Sequence, residues 1–514
     1  MTDKVMMNIK KLAMLLAVSG LCGAARAEPA AAVEYFAWDA AKKQLVAKTC
    51  TVYTVVTPET ETLTSGWYVV NSVVSNFTGL VVKGDAHLIL ADGAELYANG
   101  GTYAGICVNV VEGGATNSIS IYGQANDTGK LIAIGGEEGA GIGAQCTEEY
   151  DINDSGVLPI DCGVINIHGG DISASTMDGA GIGGFDYSEV HCSNYGGTIT
   201  IYGGKVSAVG GENGAGIGSA GYSGLGDYGD APSCRVTIYG GVITAGSMEE
   251  MSVTGIGGGM GRNGGIVTIY DGTVQAVGVM GAGIGGGYGG AGGDITIQDG
   301  DIQAFSIVGA GIGGGLMGAG GTVTINDGEV TAIAYPLEQD GELYQGEGIG
   351  AGANMYPAMP LDSGTLDLSG YEVTHYIYAG MDENGVEVTE VQADNFATWH
   401  TNCYVQITQT KRQGPAKVKI VSAKSARTEG AWSGAAQVVY ELSDLHEGSN
   451  YALTFDLKAA GQTGSCTTNL PKAVVDGVYT QEIYRTEFFG PESQVQDPAA
   501  ELTLKLIEKS RSGK

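Results

Sequence analysis

Between Gly264 and Gly315 the chain spells one unit twice, with a period of 28 residues. Gly265-Ile-Val-Thr-Ile-Tyr-Asp-Gly-Thr-Val-Gln-Ala leads through a short apolar bridge to Gly281-Ala-Gly-Ile-Gly. Gly293-Asp-Ile-Thr-Ile-Gln-Asp-Gly-Asp-Ile-Gln-Ala leads likewise to Gly309-Ala-Gly-Ile-Gly. Each unit holds three short runs of alternating apolar and polar residues separated by Gly or Asp-Gly, which reads as three strands and three turns. No run has helical spacing. A unit this small cannot bury its own apolar faces, so copies must stack, and the expected fold is all-β: a parallel β-helix with one unit per coil.

Looser copies flank this stretch. First strands recur at Ile119–Ile121, Val164–Ile167, Ile199–Ile201, Val236–Ile238, Val267–Ile269, Ile295–Ile297 and Val323–Ile325, and the glycine motif keeps pace through Ile142, Ile182, Ile217, Ile256, Ile284, Ile312 and Ile349. The spacing implies about eight coils, with loops inserted at 144–161, 184–195 and 219–233. Strand side chains alternate in direction. The isoleucines of Ile199-Thr200-Ile201-Tyr202 therefore point inward, Thr200 and Tyr202 outward, and Ala133, Ala174, Ala208, Ala245, Ala276, Ala304 and Ala332 form an interior column.

Composition agrees: 88 Gly against 8 Phe and 4 Trp suits a narrow interior with many corners. A net charge of -32 argues against nucleic acid as a partner, because phosphate binding needs a basic footprint. Lys4, Lys10 and Lys11 before the apolar run Leu12–Leu21, with Ala25-Arg26-Ala27 after it, read as a signal peptide over residues 1–27. Export to the cell surface or medium is the expected localisation. No later run reaches the 18 apolar residues of a membrane span. Removing Cys22 with the signal leaves eight cysteines, an even number that fits disulfides in an oxidising compartment. Cys146 and Cys162 bracket one inserted loop, and Cys192 and Cys234 precede strands of adjacent coils; these are the expected pairs. Cys50–Cys107 and Cys403–Cys466 are weaker pairings.

The remaining organisation is expected to be cap strands over 28–79, the β-helix with a closing cap over 80–407, a linker over 408–414, a small β-sandwich over 415–508 and a tail over 509–514. The sandwich rests on alternating runs such as Ala436-Gln-Val-Val-Tyr-Glu-Leu and Tyr451-Ala-Leu-Thr-Phe-Asp-Leu.

Cys50-Thr-Val-Tyr-Thr-Val-Val, Gly66-Trp-Tyr-Val-Val-Asn, Leu88-Ile-Leu-Ala-Asp-Gly-Ala and the recurring Gly-Ala-Gly-Ile-Gly-Gly-Gly motif resemble a family of bacterial secreted or cell-surface proteins. These are glycine-rich right-handed β-helix proteins, often labelled carbohydrate-binding or adhesin-like. The resemblance spans roughly Cys50 to Ile407 and implies an architecture; no catalytic signature comes with it.

The residue after each first strand is Tyr122, His168, Tyr202, Tyr239, Tyr270, Gln298 and Asn326. Beside the row Thr200, Thr237 and Thr268, these rings form a stripe chemically suited to sugar faces and hydroxyls. High strand propensity and neighbour stacking account for the same tyrosines without a ligand. Tyr187, Tyr222 and Tyr228, in the inserted loops, are further ligand candidates. Asp271, Asp299 and Asp327 recur at one turn of consecutive coils and leave Ca²⁺ open, though Asp-Gly is also an ordinary turn pair. The outward first-strand residues Ser120, Asn166, Thr200, Thr237, Thr268, Thr296 and Thr324 offer no acid or base for glycoside cleavage. Glu347 stands where other glycine motifs have Ala, and reads either as a buried carboxylate or as one reaching solvent past the last coil. The preferred function is a non-catalytic glycan-binding or adhesive surface protein with a polysaccharide or host-surface glycan as partner. A polysaccharide lyase or glycoside hydrolase on this scaffold, and a structural spacer, are the alternatives.

Overall fold

The computed structural model describes residues 32–111, 116–145, 159–185, 193–221, 234–246, 254–339, 342–356, 360–368, 376–377, 380–381, 387–388, 404–409, 417–428, 431–443, 450–459, 462–470, 477–484 and 501–509. The signal peptide, Cys146, Cys192, Cys403, Tyr187, Tyr222 and Tyr228 lie outside them. All described secondary structure is β, in two units divided between Gln409 and Thr410.

The first unit winds its strands into three long, mainly parallel sheets, the first and third continuous with each other through Leu80–Leu90, that nearly close around one axis, as a parallel β-helix does. The first sheet runs from Ser118–Tyr122 to Thr322–Ile325 and on to Thr365–Asp367. The second runs from Val73–Asn76 to Glu329–Ala334. The third is built from Ile106–Cys107 and then the glycine motifs, Ile142–Gly143 to Ile349–Gly350.

Register follows side-chain parity throughout. Ala133, Ala174, Ala208, Ala245, Ala276, Ala304 and Ala332 are direct partners in successive strands and are all buried. The seven motif isoleucines form a second continuous column with exposures of 0–1%. Burial of each such Ile contributes about 1.5–3 kcal/mol, and this drives the coiling. A one-residue slip in any coil would turn its apolar set outward, so the columns lock one another's register.

Glycine in the third sheet is obligatory for two reasons. Gly285 has φ 139°, and an added Cβ would come within 1.9 Å of the Gly313 carbonyl oxygen in the next coil. The same clash recurs at Gly143, Gly183, Gly218, Gly257 and Gly313, each against the next motif glycine. The coils pass so closely here that only a bare backbone fits.

Parallel pairing starts earlier than the cap expected over 28–79. Thr54–Val55 already pairs with Tyr68–Val69, and Thr62–Val70 pairs with Leu80–Leu90. These coils lack the glycine motif, so the motif understates the extent of the parallel stack. The two strands before them, β1 (Val33–Asp39) and β2 (Gln44–Cys50), form an antiparallel hairpin. It lies along the outer side of the first sheet, held by the ring contacts described below. At the other end, Tyr404–Gln409 pairs antiparallel with Glu329–Ala334, and Val405 drops into the core at 1% exposure.

Two sequence expectations are corrected. Cys50 and Cys107 are free thiols, Cys50 among the aromatics under the hairpin and Cys107 at the start of the third sheet. Burial pushes the Cys107 thiol up to about 11. Phe185, grouped by sequence with an inserted loop, is fully buried in the core.

The second unit contains two three-stranded antiparallel sheets. Val438, Tyr440 and Leu442 from one and Tyr451, Leu453 and Phe455 from the other make one apolar cluster. Alternate residues of single strands supply it, as the period-2 pattern requires.

Candidate functional site

The outward tyrosines come into one column because hydrogen bonding continues one residue past each first-sheet strand. The amides of His168, Tyr202, Tyr239 and Tyr270 donate to Ile121, Ile167, Ile201 and Ile238 of the preceding coil, each at 2.7 Å. Consecutive ring centroids in the column Tyr122, His168, Tyr202, Tyr239, Tyr270 are 4.7, 4.5, 5.1 and 4.6 Å apart, with planes within 8° of parallel. The rings are therefore stacked like plates along the helix axis. Their faces are spent on one another, each contact contributing about 0.5–1.5 kcal/mol beyond buried area, and only edges and hydroxyls point outward. This is a different surface from the flat aromatic stripe that the alternation suggested.

The upper part of the column is covered. Tyr35 of β1 sits 5.0 Å from Tyr122 and 4.8 Å from Trp67, while Trp38 sits 5.4 Å from Tyr202 and 4.9 Å from Tyr239. Three residues of strand span about 10 Å and two coil spacings about 9.6 Å, so a strand laid along the axis sets Tyr35 and Trp38 about two coils apart. Phe36 N–H donates to Gly123 O (3.0 Å), Trp38 N–H to His168 Nδ1 (3.1 Å), and Gln124 Nε2 to Glu34 O (2.7 Å). Tyr122 is left 6% exposed and His168 9%. Burial, with lesser contributions from the charges of Lys48 and His87, drives His168 down to about 4. Burial likewise raises the phenols of Tyr202 and Tyr35.

Below the hairpin the face opens. Tyr270, the last ring, is 42% exposed, and Gln298 and Asn326 continue its column, the Asn326 amide donating to Gln298 Oε1 at 3.1 Å. Thr200, Thr237 and Thr268 are half-buried and in register beside it, and Thr296 and Thr324 extend that row.

Asp271, Asp299 and Asp327 line up one coil apart, but each carboxylate accepts the N–H of the glycine that follows it, at 2.6, 2.7 and 2.7 Å. Among the described residues no group of three or more Asp, Glu, His or Cys side chains is placed to hold a metal. The carboxylates shape turns.

Sequence reasoning missed His87. It occupies the same row as Ser120, one coil earlier, its Nε2 3.3 Å from Asp85 Oδ2 and its Nδ1 3.0 Å from the Tyr122 hydroxyl. The row had been read from Ile119 onward, so its first members were not considered. The Asp-His-Tyr arrangement is poorly built for acid–base work. Trp67 stacks on His87 at 4.4 Å, Tyr35 covers Tyr122, and burial pushes the Tyr122 phenol up to about 12.

Glu347 neither sits unpaired in the core nor simply reaches solvent. It accepts the Ala351 N–H at Oε2 (2.9 Å) and the Ser363 hydroxyl at Oε1 (2.7 Å). With Gln345, Asn354 and Leu361 it lines a cleft of about 270 Å³.

Comparison with known families agrees with this geometry. Residues 165–184, 199–222, 267–288, 295–316 and 323–353 match a family described as Beta helix repeat. The chain is a β-helix protein. Neither the curated proteins nor the solved structures yield a significant match. The matched segments of the β-helix contain His168, Tyr202, Tyr270, Gln298 and Asn326, so the column is laid down by the repeat itself.

Proposed function

We propose that this β-helix is an exported, non-catalytic surface protein that binds a polysaccharide or host-surface glycan along the open lower part of the first sheet's outer face. The observation that supports the reading is the repetition, coil after coil, of hydroxyls and amides beside the exposed Tyr270. Coil spacing in such a stack is about 4.8 Å. An extended glycan lying parallel to the axis would meet the same donors and acceptors at each step, with Tyr270 offering the one ring at the end of its stack. The reading includes export through residues 1–27, right-handed winding in about eight coils, the pairings Cys146–Cys162 and Cys192–Cys234, and a β-sandwich over 415–508. The spacer reading draws support from the hairpin, because a column that receives β1 needs no ligand to explain it.

The test is a glycan array probed with the exported chain, followed by calorimetry on any hit. Tyr270→Ala is expected to weaken binding about threefold to tenfold, the range that loss of one aromatic contact implies. Unchanged affinity would move the site off this face, and an array without hits would favour the spacer.

A further inference from the structure

We propose that the hairpin Val33–Cys50 is a removable strap, released when His168 takes up a proton, and that its release bares Tyr122, His168, Tyr202 and Tyr239. The strap covers the upper part of the outer face whose open lower part is assigned above, and it rests on that reading only for what would bind there; release itself needs no ligand.

Hydrogen bonds, ring contacts and the apolar packing of Val33, Tyr35, Ala37 and Cys50 against Val69, Ile89 and Tyr122 hold the hairpin, and the Trp38–His168 bond among them depends on a protonation state. The Trp38 backbone N–H donates to His168 Nδ1, so Nδ1 must present a lone pair and the ring must be neutral, with its proton on Nε2. Protonation places an N–H opposite an N–H. It converts this bond into a contact between two donors and leaves a buried donor unmatched. The groups facing His168 are Lys48 on β2, His87 one row over, and the neutral phenols Tyr122 and Tyr202 stacked on its two sides. Stacked phenols favour a cation, but desolvation, with lesser contributions from Lys48 and His87, outweighs them, which is why the docked ring is held near 4 against an ordinary 6.5. The docked state thus binds fewer protons than the free one. Docking is at full strength above about 6.5 and weakens as pH falls, by up to about tenfold per unit, until the docked ring itself titrates near 4.

Hydrogen exchange on the full chain without ligand, corrected for intrinsic rates, tests this. Protection of the 34–38 and 45–50 amides is expected to fall up to about tenfold per pH unit between 6.5 and 4.5, while Ile199–Ile201 stay protected. His168→Gln keeps an acceptor for Trp38 N–H that does not titrate, and should abolish the slope. A wild-type hairpin with no slope, or an equal slope in the variant, would overturn the proposal. Should the variant fold poorly, NMR of the wild-type chain decides: Tyr35 and Trp38 ring signals that shift together with the His168 titration support the strap, and hairpin signals unchanged through that titration sink it. Glycan binding at Tyr270 is read separately, so either result can fail alone.

Discussion

Glu347 shows how one residue ends a repeat. In each preceding coil the amide after the motif's last Gly donates to the glycine carbonyl one coil on: Ala144 to Gly183, Gly184 to Gly218, Ser219 to Gly257, Gly258 to Gly285, Gly286 to Gly313 and Gly314 to Gly350, at 2.8–2.9 Å. The seventh amide, Ala351, has no further glycine motif to reach, and Glu347 curls its own carboxylate into that place at 2.9 Å. The carboxylate imitates a missing coil. Its position as the odd residue of the motif was legible in the sequence, but its task was not, because the role depends on what the next coil lacks. Glu347→Ala should cost about 1–2 kcal/mol, less than a fully buried charged hydrogen bond because the site is half-exposed. Loss of amide protection at Gly350 and Ala351, ahead of Gly313, would check it; unaltered protection there would show that the carboxylate is dispensable.

At the scale of elements, the coils were readable and the hairpin was not. Strand parity fixed the Ala and Ile columns because both are consequences of a period that the sequence repeats seven times. Nothing periodic links Tyr35 and Trp38 to Tyr122 and Tyr202, which are 87 and 164 residues further on. That contact is a matter of tertiary fit, so the tyrosines read as an open stripe. The ring stacking was weighed from sequence, but not its result, that stacked rings turn their edges outward. The glycine motif carries the reverse lesson: its composition announced close packing, and the structure supplies the distance. Gly285→Ala should destabilise the stack by on the order of 3 kcal/mol, combining a strained φ with a carbonyl clash. Urea melts would show it as a lower midpoint. A melt equal to wild type would mean that the coils separate more easily than their spacing suggests.

For the whole molecule, a stack in which each coil touches mainly its neighbours should tolerate changes in coil number and resist changes in phase. Deleting residues 265–292, one period, joins Gly264 to Gly293 and leaves every column continuous. That variant should fold with native-like circular dichroism and a cooperative melt, whereas removing one residue fewer shifts the parity of the following strands and should not. Equal behaviour of the two deletions would refute the column argument. Stacks of this kind also carry a hazard at their ends, where a finished coil presents unpaired backbone to any passing strand. Here the second sheet runs on past its last coil through Tyr404–Gln409, antiparallel to that coil, and then Tyr376–Ile377, antiparallel again. The parallel ladder that another molecule's first coil would extend is interrupted there by a change of direction at each of two steps. A six-residue segment that sends Val405 into the core thereby interrupts the parallel ladder along which a filament would grow.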